Sequence, residues 1–312
     1  MIPLFDTHCD APHYLYKHNR SLKDSTGHVS LEKAEIFSPY IQVAAIWCTC
    51  ADSSTALESF RATIDKFDNE CRSNGCDLIR DRIGLIASAE RQATGDSSAG
   101  FIYCIEDCGF ITNLDILSEV YDRGVRILIP MWGKTNALGG SHESEEGLTC
   151  LGRDILTEAA KMGFILDISH ASVRSSYDIM DIAEKTRCPV IASHSNSQEF
   201  YKHSRNLNKE QIERLASLNG IIGHSLCPWH LAENGEADLS TVIGNIEFLI
   251  SLAGEDNVCF GCDLDGTDLP KGFSDITSLE PLYAELSKKF SPLTADKIYF
   301  KNAYQKFQQF LK

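Results

Sequence analysis

The sequence predicts a single (β/α)8 barrel over residues 1–312, and three observations carry that expectation. Short apolar runs rich in Val and Ile alternate with helical stretches almost to the end of the chain. Those runs are mostly apolar throughout rather than alternating with polar residues, as strands buried on both faces should be. No Pro/Gly/Ser-rich linker, internal repeat or second compositional regime divides the 312 residues, so one barrel accounts for them better than two average domains. An open doubly wound sheet is the competing arrangement, but no glycine-rich phosphate loop follows the first apolar run.

The elements follow in order. The run IPLF at 2–5 reads as the first strand and breaks off into Asp6, Thr7, His8, Cys9 and Asp10. Seven more strands are expected at 41–48, 101–105, 125–129, 164–168, 189–193, 220–226 and 258–262. Helical patterns cover 53–73, 114–122, 150–161, 172–185, 208–218, 239–252 and 278–289. Gly124, Gly163 and Gly220 stand where a helix must hand over to a strand. The run IGLIAS at 83–88 is expected as an added strand outside the count of eight. Apolar positions over 297–311 suit a last helix packed either on the barrel or on a second copy of the chain, which leaves a homodimer open.

Composition excludes several classes of function. Formal net charge is -15, which disfavours a phosphate backbone or an anionic membrane as partner. No run approaches the roughly 18 apolar residues that a membrane span requires, and nothing at the N-terminus resembles a signal peptide. Several of the 12 cysteines sit inside apolar runs, as buried thiols of a cytoplasmic protein would. The pairs Cys48/Cys50 and Cys104/Cys108 have metal-compatible spacing but lack the second half of a zinc-ribbon pattern.

In a barrel of this kind, functional groups gather at the C-terminal ends of the strands. His8 and Asp10 follow the first strand, and Glu106 the third. His170 follows the fifth, His194 the sixth and Asp263 the eighth. Side chains at i and i+2 of a strand share a face, so His8 and Asp10 can address one object. Each residue alone is more often a bland one: a hydrogen-bonded histidine, a solvated acid, a helix cap. Five strand ends presenting His, Asp or Glu at one height is a different matter, and imidazole with carboxylate suits zinc or a similar divalent ion. His18, His28, His142 and His203 fall in loops or helix starts and are read as bland.

These residues also carry a resemblance. DTHCD (6–10), IEDCG (105–109), LDISHAS (166–172), SHSNS (193–197), HSRNL (203–207) and GCDLDG (261–266) resemble, in order, the renal or membrane dipeptidase family of metallopeptidases, within the amidohydrolase superfamily. The resemblance implies two zinc ions: one on His8 and Asp10, the other on His170 and His194, with Glu106 bridging them. It implies a hydroxide between the metals that attacks the amide of a dipeptide, Asp263 as acid/base, and Arg205 gripping the substrate carboxylate. A guanidinium fork suits a carboxylate better than an ammonium does. Asp167 is expected either to orient a ligand histidine or only to finish its strand.

One departure bears on activity. Aligning Asn136, Leu138 and Gly139 with the family's N-x-L-G places Trp132 where the family has a histidine that stabilises the oxyanion. An indole offers one N–H donor and no charge; losing one oxyanion donor costs about 10²–10³ in rate. Lys134 or a zinc ion could compensate. Trp132 and Asn136 join Arg205 as residues expected to face substrate. His224 and His230 in GHSLCPWHL mark either pocket lining, the favoured reading, or a third metal site. The sequence thus points to a zinc-dependent hydrolase of dipeptides. The alternatives are an amidohydrolase acting on N-acyl amino acids or cyclic amides, and a catalytically weak binding homologue.

Overall fold

The structure, a computed structural model, describes residues 1–24, 26–48 and 53–312; Cys50 of the C-x-C pair lies outside the described residues. Its strands are β1 (Ile2–Cys9), β2 (Phe37–Trp47), β3 (Asp77–Leu78), β4 (Gly100–Glu106), β5 (Val125–Ile129), β6 (Ile165–Asp167), β7 (Val190–Ile191), β8 (Ile222–His224) and β9 (Val258–Phe260). All pairings between them are parallel, in the order β7-β6-β5-β4-β2-β1-β9-β8. A bridge between Ala192 and Ile222 joins the two ends, closing the eight-stranded barrel that the alternating pattern predicts.

Inward and outward residues alternate along the strands. Ile41, Val43 and Ala45 of β2, Ile102 and Cys104 of β4, and Ile127 and Ile129 of β5 belong to one buried cluster inside the barrel. Their neighbours Ala44, Ile46, Phe101, Tyr103, Ile105 and Leu128 belong to the larger cluster beneath the surrounding helices. On the side where β8 and β9 meet β7 there is no room for side chains. A Cβ on Gly223 or Gly261 would lie 1.9 or 1.7 Å from the Ser193 carbonyl oxygen, which also sits 2.6 Å from Thr7 Oγ1.

The C-terminal segment resolves one expectation. Phe300, Ala303, Phe307, Phe310 and Leu311 pack into the interior cluster with Phe5, and the Phe5 and Phe307 rings lie 4.9 Å apart. Asn302 Nδ2 donates to Glu255 O and Val258 O at 2.7 and 2.8 Å, and Lys306 Nζ to Asn257 Oδ1 at 2.8 Å. The apolar face of the last helix is therefore the plug of the barrel's N-terminal end.

Two expectations need correction. Residues 83–88 lie in a helix, Arg82–Thr94, capped by Asp81 and ended by Gly95 in the left-handed region. Leu85, Ser88 and Gln92 are its buried positions, a helical spacing that a short apolar run cannot reveal. The added strand is instead β3, which pairs with Gly100 and Phe101 at the start of β4. Asp10, too, is not on a strand: β1 ends at Cys9, and Asp10 precedes the helix Ala11–His18. His8 and Asp10 converge because the register slips between Asp6 and Cys9 and the chain turns, not because of strand alternation. No helix among the described residues is long and apolar enough to cross a membrane.

If the C-terminal plug holds the barrel shut, Phe307→Ala will destabilise it by about 3–5 kcal/mol, the usual cost of emptying a buried aromatic site. Urea unfolding followed by circular dichroism should show the lower midpoint.

Candidate metal centre

The strand ends bring six ionisable side chains to one point. His8 arrives on β1 with no exposed surface and Glu106 as the last residue of β4. His170 and His194 follow β6 and β7, and Asp263 follows β9. His170 and Asp263 have φ of 66° and 63°, a left-handed conformation that costs a non-glycine residue energy and concentrates at functional sites. The Asp263 N–H donates to the His8 carbonyl at 3.1 Å, which fixes one turn against the other.

Glu106 Oε1 is the hub. It lies 3.0 Å from His170 Nε2, 3.3 Å from His194 Nε2 and 3.8 Å from His8 Nε2. His170 Nε2 and His194 Nε2 are 2.9 Å apart. On the other side, His8 Nε2 lies 3.5 Å from Asp10 Oδ2 and 3.9 Å from Asp263 Oδ1. Ligand-capable atoms therefore form overlapping groups: His8/Asp10/Glu106, Glu106/His170/His194 and His8/His194/Asp263. The first two share Glu106.

The electrostatics say what the cluster is built around. Burial, then the neighbouring Asp10 and Asp263 charges, push the Glu106 carboxyl well above its usual range. Burial raises Asp10 to about 7, and burial with repulsion from Asp10 raises Asp263 to about 7. Burial holds His8 down, and burial together with Arg205 and neighbouring imidazoles holds His170 and His194 well down. Both His8 ring nitrogens and Glu106 Oε1 are buried without a hydrogen-bond partner. Imidazole lone pairs and carboxylates aimed at one another in a buried site are an unfavourable arrangement. Divalent cations reverse its sign, so the donor set fits a metal centre.

The groups behind the cluster hold it in place. Asp6 Oδ1 accepts from His8 N at 3.1 Å and Cys262 N at 2.9 Å, tying β1 to the turn that carries Asp263. Asp167 Oδ1 accepts from Ser169 N at 2.8 Å and Ser193 N at 3.2 Å. Among the described residues its hydrogen bonds go to these turns and not to an imidazole, so it staples the turns bearing His170 and His194. Ser193 Oγ sits 2.9 Å from His194 Nδ1, which leaves Nε2 to face the cluster.

Above the cluster opens a cleft of about 220 Å³ with Asp10, Glu106, His170 and Asp263 on its floor and Trp47 and Trp132 on its wall. The two indoles meet edge to face at 4.9 Å, and Trp132 lies 6.3 Å from the His170 ring. Lys134 points to solvent. Arg205 is buried, donating to Ser195 Oγ at 3.1 Å and His194 O at 2.9 Å. Asn136 does not reach the cleft floor with a spare polar group. Its Nδ2 donates to Asp107 Oδ1 and Pro130 O, and its Oδ1 accepts from Leu138 N and Gly139 N, so it shapes the loop that carries Trp132. His224 is buried, with Nε2 3.2 Å from Val242 O, apart from the cluster. Sequence reasoning passed over Trp47, although it ends β2 as the ligands end theirs, and His142 and His203, which lie close to Arg205 and to each other.

Comparison with known proteins places this geometry. The family model described as membrane dipeptidase (Peptidase family M19) matches residues 1–310. An uncharacterized protein of the pqqA 5' region of Klebsiella pneumoniae is 29% identical over 199 residues, 60% of this chain and 72% of that protein. The dipeptidase aclJ of Aspergillus oryzae is 31% identical over 178 residues, 55% of this chain and 42% of that protein. The matched segment thus spans less than half the length of that fungal relative. A Rhodobacter sphaeroides metallopeptidase, solved with a phosphinate mimic of the dipeptide L-Ala-D-Ala, superposes with a TM-score of 0.89 over 99% of both chains at 24% identity, which establishes a common fold.

Reloading chelator-treated protein with zinc is expected to raise its thermal midpoint; a thousandfold excess over Kd adds about 4 kcal/mol. Glu106→Gln, which weakens the shared carboxylate, should shrink that gain. It should also lower the bound metal found by elemental analysis.

Proposed function

The chain belongs to the membrane dipeptidase family, peptidase family M19, and from that premise we propose that it is a zinc-dependent dipeptidase with a two-metal site. The observation that carries the reading is Glu106 Oε1 shared between His8 on one side and His170 and His194 on the other. His8 and Asp10 would hold one ion, His170 and His194 the second, and Glu106 both. When bound, such ions acidify water and polarise the scissile carbonyl.

The protein's own groups do the rest. Asp263 stands beside the cleft with its side chain 14% exposed, within reach of both solvent and floor. A carboxyl raised towards neutrality, here by burial and by Asp10, can take a proton from the attacking water and pass it to the leaving amine. Arg205 offers its unpaired Nε–H and the uncommitted hydrogens of its terminal nitrogens to the substrate carboxylate. Trp132, 37% exposed on the cleft wall, presents an indole N–H and an apolar face to the substrate. The carbonyl attacked would lie between Trp132 and the floor. The readings as a hydrolase of N-acyl amino acids or cyclic amides, or as a binding homologue, are not favoured by the family. The described cysteines form no disulfide, which supports a reducing compartment such as the cytoplasm.

Purified, zinc-loaded protein should hydrolyse L,L- or L,D-dipeptides and lose that activity to a chelator. Asp263→Asn is expected to lower kcat by about 10²–10⁴, the range for removing a positioned acid/base, with metal content near that of the unaltered protein. Unchanged kcat would remove Asp263 from the mechanism.

A further inference from the structure

Charged groups line the cleft unevenly. Asp10, Asp263 and Asp265 stand on the side of β1 and β9, with Lys17 of the helix after β1 also in the lining. Beside the turn that carries His194, Arg205 lies 3% exposed and pairs with no carboxylate among the described residues; its two side-chain hydrogen bonds go to the Ser195 hydroxyl and the His194 carbonyl. Three imidazoles from three loops gather around it: His142 from the loop after β5, His203 from the loop after β7 and His230 from the turn after β8. The His203 ring lies 4.8 Å from that of His230 and 6.4 Å from that of His142, and His142 lies 6.0 Å from the ligand-capable His170.

Each of these rings is held by the fold. The His142 N–H donates to the His170 carbonyl at 2.8 Å, and its Nδ1 sits 3.0 Å from Ser204 Oγ. His203 Nδ1 accepts from Arg205 N at 3.1 Å, which puts the ring proton on Nε2 and makes that atom a donor. Asn206 Nδ2 donates to the His230 carbonyl at 2.8 Å. None of the three forms an ion pair with a carboxylate among the described residues. A buried guanidinium beside three imidazoles, none of them paired with a carboxylate among the described residues, is more donor capacity than one α-carboxylate can use.

We propose that Arg205, His142, His203 and His230 form a subsite for a second anionic group, so that the enzyme selects dipeptides whose C-terminal residue carries an acidic side chain. The orientation rests on the dipeptidase reading: the substrate ammonium lies towards Asp10, Asp263 and Asp265, and the C-terminal residue towards the imidazoles. Imidazole N–H groups and the guanidinium can donate together to a carboxylate.

The test is calorimetric binding of phosphinate dipeptide mimics to the zinc-loaded protein, with carboxymethyl or the nearly isosteric carbamoylmethyl as the second side chain. The carboxymethyl mimic should bind about tenfold tighter or more, the scale of a hydrogen bond to a charged group. The double variant His142→Phe/His230→Phe should bring the two affinities to within about twofold. His203→Phe alone, checked for folding by circular dichroism, should lower the ratio if the double variant does not fold. Failure of the carboxymethyl mimic to bind, equal affinities in the unaltered protein, or a preference that the variants retain overturns the subsite. Dipeptide turnover is scored separately: if no dipeptide is hydrolysed while the affinity ratio holds, the dipeptidase reading falls and the anion subsite stands.

Discussion

The structure depends on one electrostatic problem: three carboxylates and three imidazoles converge in a buried space. Burial raises the proton affinity of Asp10, Glu106 and Asp263; the Asp10 charge raises Asp263 further, and Asp10 and Asp263 together raise Glu106. His8, His170 and His194 present lone pairs to the same space, with His170 Nε2 and His194 Nε2 2.9 Å apart. A protein would discard such an arrangement unless something positive belonged there. Membership of the M19 family implies a metal site, and the groups that share Glu106 are where the chain could hold one.

The barrel separates the two demands made on it. Its N-terminal end is closed by Phe300, Phe307, Phe310 and Leu311 against Phe5 and the inward residues of the strands. Its C-terminal end carries the left-handed turns at His170 and Asp263 and the loops that bear the aromatic and imidazole groups. Stability and function thus sit at opposite ends of the same strands. Asp6 and Asp167 connect them: each is fully buried and its Oδ1 accepts from two backbone N–H groups of the segments that carry ligand-capable residues. Loss of either would loosen the centre without removing any group from it.

The cleft wall explains how the Trp132 replacement is accommodated. Trp132 leans edge to face on Trp47, and Asn136 holds its loop from beneath through four hydrogen bonds. The imidazoles of His142, His203 and His230 gather instead beside Arg205. The chemistry of the wall is therefore aromatic on one flank and imidazole-rich on the other.

The barrel was legible in the sequence because buried parallel strands are apolar throughout, and all eight expected strands are present. The six converging residues were legible because each sits directly after such a run, and strand ends in a barrel share a height. The helix at Arg82–Thr94 was not legible: an apolar run of six has no measurable period, and its cap at Asp81 decides the matter only once the chain is folded. Nor could sequence alone show that Asn136 turns inward to its own loop, that Asp167 binds amides instead of an imidazole, or that His142, His203 and His230 surround one guanidinium. Those three histidines lie on loops after different strands, at separations without periodicity. Only the closure of the barrel, through Ala192 and Ile222, brings loops so distant in the chain to one rim.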